Sequence, residues 1–156
     1  MGIEIERKFL VNDDSWRSGT AGLSYRQGYL CTANGCSVRV RVTGKPGAWI
    51  TIKSRINATT RAEYEYPIPI TDAEMMLQSL CGQHIVEKTR YLRNYADLLW
   101  EIDEFTGNNS GLILAEVELT HSEQPITPPP WVGKEVTTDK RYYNSYLATH
   151  PYQNWS

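Results

Sequence analysis

Apolar and polar residues alternate with a period of two along most of this chain, the signature of strands with two unlike faces. Eight such runs stand out, at 2–11, 24–32, 37–43, 48–56, 61–70, 85–94, 98–106 and 111–121. Between them lie short turn-forming stretches such as Ala33-Asn34-Gly35, Thr43-Gly44-Lys45-Pro46-Gly47 and Gly107-Asn108-Asn109-Ser110-Gly111, which read as hairpin punctuation. One clear helix interrupts the series. Thr71-Asp72-Ala73-Glu74 reads as a capping box, Met75, Met76, Leu77 and Leu80 form an apolar face, and Gly82 stops it. Short helical turns are expected near Asp13–Arg17 and from Asp139 to Leu147. Eight consecutive, mostly hairpin-linked strands predict a mainly β fold with flanking helices (α+β), built as an eight-stranded antiparallel barrel. No repeat or second linker divides the chain, so 1–156 is read as one domain.

The charges inside these strands carry a second message. Residues i and i+2 share a strand face, and like charges recur at that spacing. Glu4, Glu6 and Lys8 oppose Ile3, Ile5 and Phe9; Arg39 and Arg41 oppose Val38, Val40 and Val42. Thr51, Lys53 and Arg55 face away from Ile50 and Ile52, and Glu63 and Glu65 away from Tyr64 and Tyr66. Lys88 with Arg90, Glu101 with Asp103, and Glu116 with Glu118 complete the set. Each strand is nearly pure in sign: acidic on the first, fifth, seventh and eighth, basic on the third, fourth and sixth. Two readings fit. Either every pair faces solvent over an apolar barrel core, or the barrel is inside out, with charges in the lumen and apolar residues covered from outside.

Composition weighs on that choice. Leu, Ile, Val and Phe together number only 33 of 156 residues, lean for a large central core. Unpaired charges in a lumen would be prohibitively costly to dehydrate. Water, a polyanion and divalent cations make them tolerable. Oxygen ligands without His or Cys select Mg²⁺ or Mn²⁺ over zinc, and Arg grips phosphate with two N–H groups at once. Sixteen Lys and Arg against eighteen Asp and Glu, net −2, exclude the basic surplus of a general nucleic-acid or anionic-membrane binder. No leader pattern and no 18-residue apolar run is present. Three cysteines, Cys31, Cys36 and Cys81, show no repeated ligand spacing. A soluble, cytoplasmic protein with free thiols is expected, without nucleic-acid or membrane partners, as a monomer or homodimer.

The residues also fall into a recognisable order. Glu4-Ile5-Glu6-Arg7-Lys8 is an ExExK motif. It is followed by Arg26-Gln27-Gly28-Tyr29-Leu30, Val38-Arg39-Val40-Arg41, Thr51-Ile52-Lys53-Ser54, Glu63-Tyr64-Glu65 and Glu87-Lys88-Thr89-Arg90-Tyr91. Trp100-Glu101-Ile102-Asp103, Ala115-Glu116-Val117-Glu118 and Glu135 to Tyr142 complete the order. ExExK alone recurs by chance, but the ordered set spans nearly the whole chain. It resembles the CYTH, or triphosphate tunnel metalloenzyme, family, and most of all its short stand-alone bacterial members. The resemblance implies an eight-stranded tunnel that binds a small triphosphate lengthwise with divalent metal. Arg39, Arg41, Lys53, Lys88 and Arg90 would then hold phosphates, assisted by Lys8. Glu4, Glu6, Glu63, Glu65, Asp103, Glu116 and Glu118 would hold or position metal, with Glu101 less firmly a member and Tyr29 a further lining residue.

The function so implied is hydrolysis of inorganic triphosphate to pyrophosphate and phosphate. One Mg²⁺ is expected to bridge phosphate oxygens and a second to hold the attacking water, with Lys88 orienting that water or taking its proton. The rivals are a class IV adenylate cyclase, a thiamine or nucleoside triphosphatase, and a non-catalytic polyphosphate- or nucleotide-binding module. A module would be expected to have lost carboxylates, whereas all four acidic strands keep theirs. The remaining features take ordinary readings. His84, His121 and His150 lie outside the charged set, and the cysteines read as small buried residues. Gly44-Lys45-Pro46-Gly47 lacks the phosphate-loop pattern and reads as a turn. Trp131 and the segment from Tyr142 to Leu147 are expected to cover the outer apolar face.

Overall fold

A computed structural model of the chain describes residues 2–155. Its strands are β1 (Gly2–Val11), β2 (Leu23–Ala33), β3 (Cys36–Thr43), β4 (Gly47–Arg55), β5 (Thr60–Pro67), β6 (Ile85–Tyr95), β7 (Leu98–Thr106), β8 (Ile113–Glu118) and β9 (Val132–Glu135). Helix α1 runs over Ile70–Ser79 and α2 over Asn144–Thr149, with short 3₁₀ turns at Ser15–Arg17, Gly107–Asn109, Lys140–Tyr142 and Tyr152–Asn154.

All pairings are antiparallel, in the order β5-β4-β3-β2-β6-β7-β8-β1, and β5 pairs again with β1 to close a ring of eight strands. The closure is short. Gly2 to Ile5 of β1 pair with Thr60 to Glu63, and β5 then leaves that edge. Further along, β9 takes it over, pairing at Phe9 and Val11 across a register shift. The ninth strand was not anticipated, because four residues after a proline-rich stretch show no alternation of their own.

The ring is inside out. Trp100, Ile102, Ala115 and Val117 alternate with the carboxylates of β7 and β8 and lie on the outer face. There they are buried with Phe9, Trp16, Leu119 and Trp131. Trp131 covers this face as expected, standing edge-on to Trp100 at 5.9 Å between ring centroids. A second outer layer sits under α1, where Val40 and Ala48 meet Ala73, Leu77 and Cys81. Gly28 makes this packing possible. A Cβ there would come within 2.7 Å of the Cys81 sulfur and 2.8 Å of Ile85 Cδ1.

Several expectations need correction. Helix α1 begins two residues earlier than the capping box requires, with Pro69 at its N-cap and no side-chain cap bond. Glu74, free of that duty, pairs with Arg26. Met75 and Leu80 are exposed rather than packed, and the buried stripe is Ala73 and Leu77. Only Cys81 is a buried cysteine; Cys31 is exposed and Cys36 half-buried. The tail is misplaced most informatively. Tyr142 and Leu147 do not join the outer cover. They pack with Ala148 against Val86, Phe105, Leu114 and Leu10, residues that share the lumen-facing side of their strands with Lys88, Asp103, Glu116 and Lys8. Helix α2 therefore plugs the inside of the barrel at one end.

Candidate active site

The rest of the lumen is a polar chamber of about 190 Å³. Every residue expected at the site lines it except Asp103: Glu4, Glu6, Lys8, Tyr29, Arg39, Arg41, Lys53, Glu63, Glu65, Lys88, Arg90, Glu101, Glu116 and Glu118 all do. The ring order gives their signs a spatial meaning. Running β4-β3-β2-β6, the inward residues Lys53, Arg39 and Arg41, then Lys88 and Arg90 beyond the uncharged Gln27 and Tyr29 of β2, form a cationic arc. Running β7-β8-β1-β5, Glu101, Glu116, Glu118, Glu4, Glu6, Glu63 and Glu65 form the facing anionic arc. Lys8 and Arg61 are the cations within it.

The seams between the arcs are cross-linked. Lys53 Nζ donates to Glu4 at 2.7 Å and lies 3.4 Å from Glu63. Arg90 pairs with Glu101, forms two bonds to Asp103 at 2.7 and 2.8 Å, and reaches Glu116 at 3.5 Å. Glu116 also meets Lys8 at 3.2 Å. In the middle of the cationic arc the partners thin out. Arg39 donates to Thr51 Oγ1 at 3.1 Å, lies 3.6 Å from Glu65, and keeps a buried Nε without an acceptor. Arg41 donates through Nε to Gln27 Oε1 at 2.9 Å, and among the described residues no carboxylate pairs with it. Guanidinium groups facing a cavity with donors to spare suit phosphate oxygens.

Asp103 departs from the metal-ligand expectation. It is fully buried behind the chamber wall, and its oxygens are taken by Lys88 and Arg90. Burial alone would raise its pKa, but those two cations outweigh it and hold the carboxyl below its ordinary range. On the lumen side of β7, it anchors Lys88 and Arg90 rather than lining the chamber.

Lys88 is the pivot of the cationic arc. Its Nζ donates to Asp103 Oδ2 at 2.7 Å and to Asn144 Oδ1 at 3.0 Å, and Asn144 accepts a further bond from Gln27 at 3.1 Å. Burial first, then Arg90 and Arg41, lower the lysine's pKa to about 7 against the pull of Asp103 and Glu116. Across the chamber, burial together with Glu116 and Glu4 raises Glu6 to about 7. Glu118 is also raised, by burial, Glu4 and Glu63. The anionic arc thus carries more negative charge than its own cations neutralise.

Sequence reasoning missed Gln27, Arg61, Tyr143, Asn144 and Ser145. Arg61 and Gln27 were within reach, since each shares face parity with a chosen residue two positions away, Glu63 and Tyr29. The three tail residues belong to no alternating run and carried no signal.

The chain matches the CYTH domain model over residues 2–149. It belongs to the CYTH family. This CYTH protein is 44% identical to an inorganic triphosphatase of Acetivibrio thermocellus over 155 residues, covering 99% of each chain. It is 43% identical over 150 residues to an inorganic triphosphatase of Nitrosomonas europaea, covering 93% of this chain and 96% of the relative. A crystal structure of an inorganic triphosphatase superposes with a TM-score of 0.68 at 41% identity, over 95% of both chains. A putative adenylate cyclase from Bacillus halodurans, at 17% identity and TM-score 0.62 over 79% of this chain and 84% of its own, shares the fold. Among the described residues no helix is long and apolar enough to cross a membrane.

Family membership implies metal dependence, and the donor chemistry fits. The anionic arc offers only hard oxygen ligands, and its like charges crowd one another. Among the described residues no three such groups converge into a ready-made cage.

Proposed function

We propose that this protein hydrolyses inorganic triphosphate to pyrophosphate and phosphate, with Mg²⁺ or Mn²⁺ and a small-molecule substrate held wholly inside the barrel. The observation that carries this reading is the division of the chamber into facing cationic and anionic arcs. One wall binds the phosphate chain, and the other binds the cations that make its charge bearable. Glu4, Glu6, Glu63, Glu65, Glu116 and Glu118 are the residues that would hold divalent metal, at up to two positions. Metal bound there supplies charge neutralisation and Lewis acidity.

The chain's own residues do the rest. Arg39, Arg41, Lys53 and Arg90 fix the phosphate oxygens so that the terminal phosphorus faces a water in line with the bond to be broken. Lys88 has three tetrahedral positions besides its Cε bond. Two point at Asp103 and Asn144, leaving the third free for the lumen. As a neutral amine, with N–H bonds to both acceptors, it turns its lone pair toward the chamber. The water oxygen bonds to phosphorus, its proton passes to Lys88 Nζ, and the P–O bond to the departing pyrophosphate breaks with the electron pair on pyrophosphate. The alternative role for Lys88 is to donate its third N–H and orient the water. In both roles Asp103 positions it.

A phosphate-release panel tests the activity. Triphosphate, pyrophosphate, ATP and thiamine triphosphate are each offered with Mg²⁺, Mn²⁺ or Ca²⁺, and triphosphate is expected to be cleaved fastest. Cyclic AMP appearing from ATP faster than triphosphate disappears would replace this reading with a cyclase. Tight binding without turnover of any substrate would replace it with a binding module.

A further inference from the structure

The chamber opens at two ends of unlike character. Toward the β3–β4 hairpin its mouth is formed by Leu23, Tyr25, Thr43, Pro46 and Trp49, with Lys45, Arg41 and Glu65. That mouth is largely apolar and mixed in sign. Toward the β2–β3 hairpin, at the end where α2 fills only the β6–β7–β8 side, the chamber runs into a second pocket, of about 290 Å³, through Ser37, Lys53, Arg61, Tyr143 and Ser145, which line both. Its charged lining consists of Lys53, Arg55, Arg61 and Lys140, with no carboxylate among the lining residues.

We infer that this basic pocket is a second anion-binding site outside the reaction chamber, and the port through which the phosphate chain enters. The inference rests on the triphosphate reading and adds a direction to it. An anion carrying several charges meets Arg55, Arg61 and Lys140 at this mouth, with Lys53, already paired with Glu4 and Glu63, at the inner edge and no carboxylate in the lining. At the other it meets two cations, a carboxylate and an indole. A cleft lined by one sign of charge focuses the field and raises the arrival rate of the opposite ion. The handover is built in, because Lys53 and Arg61 belong to pocket and chamber alike.

Tyr143 forms the sill between the two. Its ring lies 4.8 Å from the Arg61 guanidinium carbon and 5.7 Å from Lys8 Nζ. Its hydroxyl accepts from Arg55 at 3.3 Å and donates to the Thr137 carbonyl at 3.3 Å. Cations thus flank the sill from the outer pocket inward, and an incoming anion exchanges one for the next. Arg55 and Lys140 line the outer pocket but not the chamber, so their charges can be changed without touching the phosphate grip.

The test is the double variant Arg55→Glu/Lys140→Glu, with Lys45→Glu at the far mouth as control. Steady-state hydrolysis of inorganic triphosphate is measured over a range of ionic strength. The double variant is expected to lose about tenfold in kcat/KM at low salt. Its kcat should stay close to that of the unaltered protein, and its salt dependence should flatten. Lys45→Glu should change kcat/KM less than twofold. Should the reversed charges prevent folding, Arg55→Gln/Lys140→Gln carries the same prediction at roughly a third of the effect. An unchanged kcat/KM and salt slope in the folded variants, or a larger loss in Lys45→Glu, overturns the port. The enzymatic reading fails separately, if the unaltered protein does not turn over triphosphate. In that event the rate of triphosphate binding, followed by intrinsic fluorescence, decides the port on the same variants.

Discussion

Lys88 Nζ sits where a small change in its neighbours should be read out directly in rate. With its pKa near 7, a lysine that accepts the water's proton gives a kcat that rises with pH through about 7. Lys88→Ala should lower kcat by 100-fold or more and abolish that rise, whereas a role limited to binding predicts a raised KM with kcat kept. Asp103 raises the lysine's pKa, so in Asp103→Asn the rise should move to lower pH, opposite to the effect of adding an anion. Asn144→Ala frees Lys88 from one of its two acceptors. We expect a loss of about tenfold in kcat with KM little changed, partly rescued by Asn144→Gln. These residues also mark how far the sequence could be read. Alternation put Asp103 on the lumen side correctly, but two-residue periodicity gives a direction and no depth. Depth places it behind Lys88 and Arg90. Asn144 was invisible because its position depends on how the tail enters the barrel.

At the scale of elements, helix α1 returns closely to the sheet at Gly28. The contacts a Cβ would make with Cys81 and Ile85 predict that Gly28→Ala costs about 1–3 kcal/mol, as a lower midpoint in urea. Activity per folded molecule should persist, since the strain lies on the outer face. Trp131→Ala should cost more, about 3–5 kcal/mol, because it opens a hole beside Trp100 and Phe9. Eight of the nine strands could be located from alternation to within a few residues. The helix could be located too, but not its cap or its buried stripe. Capping and facing are decided by what α1 packs on, and the alternation of a single strand contains nothing about its neighbour's helix. β9 escaped for the same reason. It exists because β5 leaves half of one edge of β1 unpaired.

Over the whole molecule, two opposed titrations govern stability when neither metal nor phosphate is bound. Glu6 holds its proton up to about pH 7 in the fold but only to about 4.5 when unfolded, so stability falls as pH rises between those values. Lys88 releases its proton near 7 in the fold and near 10.5 when unfolded. The unfolded chain therefore binds more protons across that interval, and stability recovers. The two effects place a minimum around neutral pH, measurable as a lower Tm at pH 7 than at pH 5 or pH 9. Mg²⁺ with a slowly cleaved triphosphate analogue should raise the pH 7 value most, because it compensates both costs at once. The sorting of sign by strand was legible in the sequence, but its geometric meaning was not. Only the order β5-β4-β3-β2-β6-β7-β8-β1 reveals that strands of like sign are gathered side by side.

The plug supplied by the tail has a bearing on how such an interior comes to exist. Lys140 to Thr149 follow all eight ring strands along the chain. The strands are thus free to pair around side chains that still carry their hydration shells. The side chains that dry this end are Tyr142, Leu147 and Ala148, packed against Val86, Phe105 and Leu114. The salt links themselves need only the ring, since Lys88 meets Asp103 across the β6–β7 ladder, where Arg90 and Asp103 stand opposite. A tail that docks last would let the salt links form wet and be sealed afterwards. No folding step then has to carry a bare charge into a dry core.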